Sequence, residues 1–511
     1  MKFFSYPCNI AEKMSFKKVV AAKIILSILL VFLSCFLVEY FGFNRHFNQY
    51  RFLFILAIGY LILFFILFRK KIGQRPEFGF LTVALICGSL ISISEPRYYN
   101  VSWDEQIHYK NVEKIASNVV NNMHFRPNTI PFSYSIEEQN QLDSIVDSKY
   151  KEPKTKSSTE KLTYNRIGYI PSAVALAIGN FIHLPHHIIF IFGRWINLLV
   201  YGLIVFFAIR KFKSGKMIMS VVALLPTAIF LAANYNYDSW LTAFTLLGLA
   251  YLFSELQLPD KKITGREICI MIGAFVFGLG PKAIYFPLLF LLFLLKPRKF
   301  ISPKRYKIFI LAVSLSIIFV VSTFLVPLIS KGPGKGDHRG GEAVNSTEQI
   351  KFILKEPVAY AKILGNFMIS YINPKNAGGY TTFFAYVGSF KNYLFIIILI
   401  ILAVVTLTDK NEYDEKSESW KNRLWVIAVY LATVALICTA LYVSFTPVKS
   451  PSIAGVQPRY LIPLTFPLLF ILGSSRIKNR MNGNLYNLII FSIMAFVLLK
   501  GTWDLIIKNY Y

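Results

Sequence analysis

Apolar stretches close to 20 residues long recur along the whole chain, separated mostly by short polar turns. That length matches the bilayer's hydrocarbon core crossed as an α-helix. Thirteen such stretches are predicted, at residues 23–42, 52–68, 78–95, 188–209, 218–236, 239–257, 267–280, 284–295, 307–329, 392–408, 424–446, 459–475 and 485–499. The stretches at 267–280 and 284–295 are short for a full crossing. The pattern therefore predicts an all-α polytopic membrane protein of about 13 transmembrane helices with two large extracytoplasmic loops and juxtamembrane helices. Its organisation is a tail with three spans (1–95), a loop (96–187), a bundle (188–329), a second loop (330–391) and C-terminal spans (392–511). The first span follows Lys13, Lys17, Lys18 and Lys23 with no small-residue cleavage site behind it, so it reads as an uncleaved signal anchor with a cytoplasmic N-terminus.

Composition sharpens this picture. Of 511 residues, 55% are hydrophobic and only 16% charged, which excludes a soluble enzyme and a disordered chain. The formal charge of +28 would in a soluble protein raise nucleic-acid binding. Here 29 of the 55 Lys and Arg fall in seven short segments that alternate to one side, among them Arg69-Lys70-Lys71, Arg210-Lys211, Lys261-Lys262 and Arg298-Lys299. The charge is a positive-inside topology signal, and no nucleic-acid partner is expected. A further crossing at 167–182 would reverse that assignment, so this apolar stretch is expected to lie on, or dip into, the outer face. Cys8, Cys35, Cys87, Cys269 and Cys438 are far apart and read as small hydrophobes rather than a metal or disulfide set.

Candidate chemistry sits beside the spans. Residues 101–109, Val-Ser-Trp-Asp-Glu-Gln-Ile-His-Tyr, open a helix whose apolar residues Ile107, Val112, Ile115, Ala116, Val119 and Val120 suit the bilayer surface. Asp104 and His108, four apart, would share one helix face. Ser102-x-x-Glu105 also matches a capping box, in which Glu105 serves only the backbone. Charges at the ends of apolar spans are the second signal, because burying one in lipid costs about 2.5–3.5 kcal/mol on insertion scales. Arg194, Asp238, Lys282 and Arg459 are such charges, and the predicted topology brings all four to the face bearing Asp104. Three cations with two or three carboxylates there suit a lipid-linked phosphate whose charge grows as it departs.

Other features are weaker. His183, His186 and His187 read as interface residues, residues 137–163 as a solvated tether, and Asp337-His338-Arg339, in the glycine-rich 332–338 region, as a linker. Asn345-Ser346-Thr347 fits a glycosylation sequon, but Ser346-x-x-Gln349 is read as a helix cap. No glycine-rich nucleotide motif is placed where it would serve, so the donor is expected to be in the membrane already.

Asp104-Glu105-x-x-His108, Tyr169-Ile170-Pro171, Tyr237-Asp238-Ser239, Pro281-Lys282 and Gln457-Pro458-Arg459-Tyr460 resemble, in order and placement over roughly residues 78–475, the bacterial predicted membrane proteins of unknown function grouped with the GT-C glycosyltransferases. The resemblance implies a multi-pass enzyme of the bacterial cytoplasmic membrane that moves a sugar from a polyprenyl-phosphate donor to an extracytoplasmic envelope glycan or lipid. It implies that the acidic motif falls on Asp104 and Glu105, and the donor-phosphate role on Arg459, with Lys282 and Arg194. The residues themselves suggest a catalytic set of Asp104, Glu105 and His108. In it Asp104 orients or deprotonates the acceptor hydroxyl and Glu105 or His108 assists or holds a divalent cation (Mg or Mn), with Asp238, Tyr109 and Tyr460 on substrate. Many relatives carry an acidic residue in the segment matching Gly378-Gly379-Tyr380-Thr381-Thr382; this chain has none there. A transporter or flippase, or a polymerase of lipid-linked polysaccharide, is the alternative reading.

Overall fold

The computed structural model describes residues 7–99, 101–116, 135–150, 162–332, 336–409, 419–473, 477 and 479–511. Val119, Val120, residues 151–161 and residues 333–335 of the glycine-rich stretch lie outside the described residues, and the first half of the expected tether is instead the helix Ile136–Tyr150, with Gln139 and Asp143 buried. The protein is an all-α polytopic membrane protein. Eight helices among the described residues are long and apolar enough to cross a bilayer: Val20–Gly42, Gln49–Leu67, Pro76–Ser94, His186–Lys211, Asp238–Gln257, Pro303–Ser330, Trp420–Ser444 and Gly483–Tyr510. The described strands are a two-residue pair, Phe383–Phe384 against Gly388–Ser389.

The other five predicted crossings take different forms, and proline explains three of them. The 218–236 stretch is two helices, Lys216–Ala223 and Pro226–Ala232, because Pro226 has no N–H to continue the first. The 284–295 stretch is a 3-10 helix, Ala283–Leu294, with Pro287 inside it. At a rise of about 2.0 Å per residue it covers about 24 Å, which is how so few residues reach most of the way across a bilayer. The 459–475 stretch begins as a 3-10 turn, Pro458–Leu461, and continues as Ile462–Leu472. Gly265–Leu279, whose N-terminus is closed by a Thr264–Glu267 capping box, and Asn392–Thr408 are short helices of 15 and 17 residues.

Burial separates a core from a periphery. Only 6% of the apolar window of Val20–Gly42 and 17% of that of Pro303–Ser330 is buried, against 61% for Pro76–Ser94 and 72% for Asp238–Gln257. The apolar side chains left open on the outer helices contact membrane lipid. The broken pair Lys216–Ala223 and Pro226–Ala232 is buried at every residue but Lys216.

Residues 167–182 do not cross. Ile170–Phe181 is 12 residues long, about 18 Å, and folds back antiparallel on the start of His186–Lys211. Ser172 Oγ donates to Gly193 O at 2.9 Å, and Gly179 meets Ile189. Helix Glu105–Ala116 packs in turn on this hairpin: Tyr109 and Val112 join Leu176, Phe190 and Tyr235 in a separate aromatic core. Val112, Ile115 and Ala116 of its apolar stripe therefore meet protein where lipid was expected, because the fold-back supplies a hydrophobic face within reach, while Ile107 stays exposed.

Candidate functional site

Asp104 stands at the first turn of Glu105–Ala116, and its carbonyl accepts from Ile107 N at 2.8 Å and His108 N at 2.9 Å. Its φ of +57° lies in the left-handed region, which Asp and Asn tolerate better than other side chains. That backbone turn sends Asp104 and Glu105 in different directions. The Asp104 carboxylate reaches Arg339 Nη1 at 2.6 Å and Arg459 Nη2 at 3.9 Å. The Glu105 carboxylate turns inward and is gripped by Arg194 Nε at 2.9 Å and Nη2 at 3.0 Å.

The Glu105–Arg194 pair corrects several expectations. Both side chains have no exposure. Arg194 also donates to the carbonyls of Glu95 and Pro96 at 3.2 Å each, tying the end of the Pro76–Ser94 span to the loop that follows it. Arg194 is thus closed off from any phosphate, because its donors are already taken, and Glu105 holds structure instead of touching substrate. Nor is the capping box formed, since Glu105 is engaged by Arg194 and Ser102 Oγ is buried without a hydrogen-bond partner. Tyr109, expected at the substrate, donates or accepts at His186 Nε2 (2.9 Å) inside the aromatic core, where packing encloses it completely. A divalent cation held by Asp104 and Glu105 together does not fit, because the two carboxylates diverge and the Glu105 oxygens are occupied. Among the described residues no three His, Cys, Asp or Glu side chains gather as ligands.

The other candidates converge. Asp238 opens the Asp238–Gln257 helix, and its N–H donates to Asn236 Oδ1 at 2.5 Å. Asn197, one turn beyond Arg194, fixes that turn by donating to the carbonyls of Asn234 (2.9 Å) and Asn236 (3.3 Å). Lys282 Nζ lies 2.7 Å from Asp238 Oδ1, and Arg459 Nη1 lies 3.3 Å from Asp238 Oδ2. Three separate apolar segments thus bring two cations onto one carboxylate, with Asp104 at their edge. Aromatic faces line the cations: Lys282 sits 3.9 Å from the Tyr460 ring centre, and Arg459 4.6 Å from that of Trp103. Tyr460 therefore lies in the cluster.

Arg459 is only 4% exposed, yet its Nε and Nη1 make no hydrogen bond. Buried donors are nearly always satisfied, so unspent ones mark a place where an acceptor belongs. The turn that carries Arg459 is braced from outside: Tyr371 OH donates to Gln457 O and Tyr285 OH to Tyr460 O, both at 2.8 Å. Gly379 lies so close that a Cβ there would stand 2.7 Å from Pro458 Cγ. The 378–382 segment, without an acid of its own, backs the arginine turn.

His108 is buried, with Nδ1 2.7 Å from Tyr169 OH and its ring edge-on to Tyr237 at 4.8 Å. Burial, reinforced by the nearby Arg459 charge, pushes its pKa down to about 4, so the imidazole is neutral at pH 7. His186 and His187 part company: His187 Nδ1 meets Asp147 Oδ2 at 2.8 Å, while His186 faces Tyr109.

Sequence reasoning passed over Trp103, Tyr285, Tyr371 and above all Arg339. Trp103 could have been found as the aromatic next to Asp104, whereas Arg339 sat in what looked like a linker. The helix cap in the second loop is Asn345, one residue earlier than expected, its Oδ1 accepting from Thr347 N and Glu348 N at 3.1 Å. The helix it opens, Ser346–Lys355, stops before Pro357, and Pro357–Tyr371 follows as a second helix.

Nothing among curated proteins or solved structures matches the chain. One family model does, described as "Predicted membrane protein (DUF2142)", over residues 86–468, a stretch that holds Asp104, Asp238, Lys282 and Arg459. The chain belongs to that family of membrane proteins.

Proposed function

We propose that the protein is a membrane glycosyltransferase that takes a sugar from a polyprenyl-phosphate donor and passes it to an envelope glycan or lipid acceptor at the extracytoplasmic face of a bacterial cytoplasmic membrane. The observation that carries the reading is the buried Arg459, with Nε and Nη1 making no hydrogen bond and Nη1 in ion-pair contact with Asp238 alone, beside Lys282 at the membrane boundary. In this reading the acceptor hydroxyl oxygen attacks the anomeric carbon as that carbon's bond to the phosphate oxygen breaks. The hydroxyl proton goes to Asp104, and the phosphate gains a negative charge that Arg459 and Lys282 neutralise in a site shielded from water. Neutral His108 contributes polarity without adding charge against the two cations. Asp238 holds the cations in register through their ion pairs.

The test uses cells that lack the protein, complemented with wild type, Arg459→Gln or Asp104→Asn at equal expression. Asn keeps the left-handed turn at residue 104 available, so loss of function reports the carboxylate and not the backbone. Loss of one surface sugar decoration with accumulation of its lipid-linked donor supports transfer. Full restoration by both variants overturns it. A transporter of lipid-linked sugars is the second reading, favoured by the discontinuous Lys216–Ala223 and Pro226–Ala232 pair, since carriers break helices at their binding sites. The break itself is made by Leu224 and Leu225, which offer a polar ligand only backbone groups, and the charged cluster lies elsewhere. Donor trapped on the cytoplasmic leaflet in the deletion strain would favour the carrier.

A further inference from the structure

At the opposite end of the bundle from Asp238 a cavity of about 680 Å³ opens between three helices, His186–Lys211, Asp238–Gln257 and Gly265–Leu279. Its polar end is lined by Arg210, Lys211, Lys213 and Lys261. These charges are not all spent within the protein. Lys211 and Lys261 share Glu255 and Glu267 with each other, and Lys299 joins them at Glu255, so three lysines meet two carboxylates. Arg210 and Lys213 are exposed and have no acidic partner among the described residues. Among the described residues the cavity mouth therefore keeps a net positive charge.

The other end of the cavity is apolar, lined by Phe207, Leu247 and Ile270. Leu247 lies ten residues before Gln257 at the end of its helix, so the groove reaches about 15 Å along that helix, into the depth of acyl chains. Phe207 is 54% exposed, although it sits in a membrane-crossing helix, so lipid is its natural neighbour. Tyr251 lies between the two zones, its ring 4.8 Å from Lys211 Nζ. A cationic mouth continuing into an apolar slot matches an amphiphile with an anionic head and a hydrocarbon tail.

We propose that this cavity is a binding site for an anionic phospholipid, with the phosphodiester headgroup on Arg210 and Lys213 and an acyl chain along Phe207, Leu247 and Ile270. The site is separate from the Asp104 cluster and does not depend on what that cluster does.

The full-length protein would be reconstituted in phosphatidylcholine nanodiscs doped with phosphatidylglycerol, released into mild detergent, and its retained lipids counted by native mass spectrometry. Wild type is expected to keep one more phosphatidylglycerol than R210Q/K213Q, while R69Q/K70Q, at another basic span end, keeps the wild-type number. Equal retention by wild type and R210Q/K213Q overturns the site. So does equal loss in R69Q/K70Q, which would reduce the effect to diffuse surface charge. Leu247→Trp fills the apolar end with every cation intact: losing the same lipid supports the proposal, and keeping it overturns the acyl slot. Inorganic phosphate titrated alone into delipidated protein is expected to give no saturable heat. Saturable binding abolished in R210Q/K213Q, without lipid retention by wild type, would assign the site to a soluble anion instead.

Discussion

Arg194 and Arg459 are both buried arginines at the ends of apolar helices, and from the chain alone they are equivalent. Their surroundings make them opposites. Arg194 spends hydrogen bonds from all three of its nitrogens on the Glu105 carboxylate and two backbone carbonyls, with the buried Glu95 carboxylate beside it. Arg459 shares Asp238 with Lys282 at ion-pair distance through Nη1, but neither Nε nor Nη1 makes a hydrogen bond, and Asp104 approaches no closer than 3.9 Å. A buried charge that is fully hydrogen-bonded is a fastener, whereas one held short of satisfaction is placed for something that arrives later. The same contrast separates the two carboxylates of the Asp104-Glu105 dipeptide, one open to the site and one consumed within the fold.

The contrast can be broken or sharpened by substitution. Arg194→Met should have the largest effect on the folded state, because it leaves Glu105 buried and unpaired at a cost of about 3–5 kcal/mol. Thermal unfolding in detergent should show this, and Arg194→Met combined with Glu105→Leu should recover much of the loss. Recovery of sugar transfer by that double variant would place both residues outside the chemistry; its absence in a well-folded protein would put them back inside. Arg459→Gln should do the reverse. Transfer, followed as restored surface glycan, falls about 10²–10³-fold, while the unfolding midpoint stays near wild type because Asp238 keeps Lys282. Asp104→Asn should lower transfer about 10²-fold, the usual contribution of a positioned proton acceptor.

Smaller effects follow from the more exposed groups. Arg339 is 55% exposed and shared between Asp104 and Asp337, so Arg339→Gln should change stability by under about 1 kcal/mol and transfer less than Asp104→Asn does. A loss matching that of Arg459→Gln would move Arg339 into the site proper. His108 gives the mildest signature. Its pKa of about 4 in the folded protein lies below the ordinary value near 6.5. The unfolded chain therefore binds the proton first as pH falls, and stability declines from about pH 6.5 down to about 4 and is insensitive to this group above that window. Unfolding midpoints of wild type and His108→Gln across pH 4–8 would show it, the wild-type slope being the steeper. A transfer-rate limb near pH 6.5 that vanishes in His108→Gln would contradict a neutral imidazole.

Much of this protein was legible in the chain, for identifiable reasons. Apolar runs mark spans because unsatisfied backbone in lipid forces helices, and charges at the ends of such runs stand out because they are costly there. That logic found Asp238, Lys282 and Arg459, which the fold brings together beside Asp104, and Arg194, which it ties to Glu105 instead. It failed where proline altered a helix from within, since hydropathy registers neither the break at Pro226 nor the 3-10 winding around Pro287. It also failed where an exposed loop residue docks from far along the chain, as Arg339 does on Asp104, because nothing local records such a contact.

The chain alone implies a helical membrane protein and a gathering of Asp238, Lys282 and Arg459 at one end of it, because both reflect the local cost of placing polar groups in lipid. Tertiary structure alone decided which charge meets which. Glu105 reaches Arg194 and leaves Asp104 to Arg339 and Arg459 because one left-handed residue turns neighbouring carboxylates apart and a folded-back helix buries one of them. Such pairings join residues many turns distant, and they are settled by packing, which no local pattern of side chains encodes.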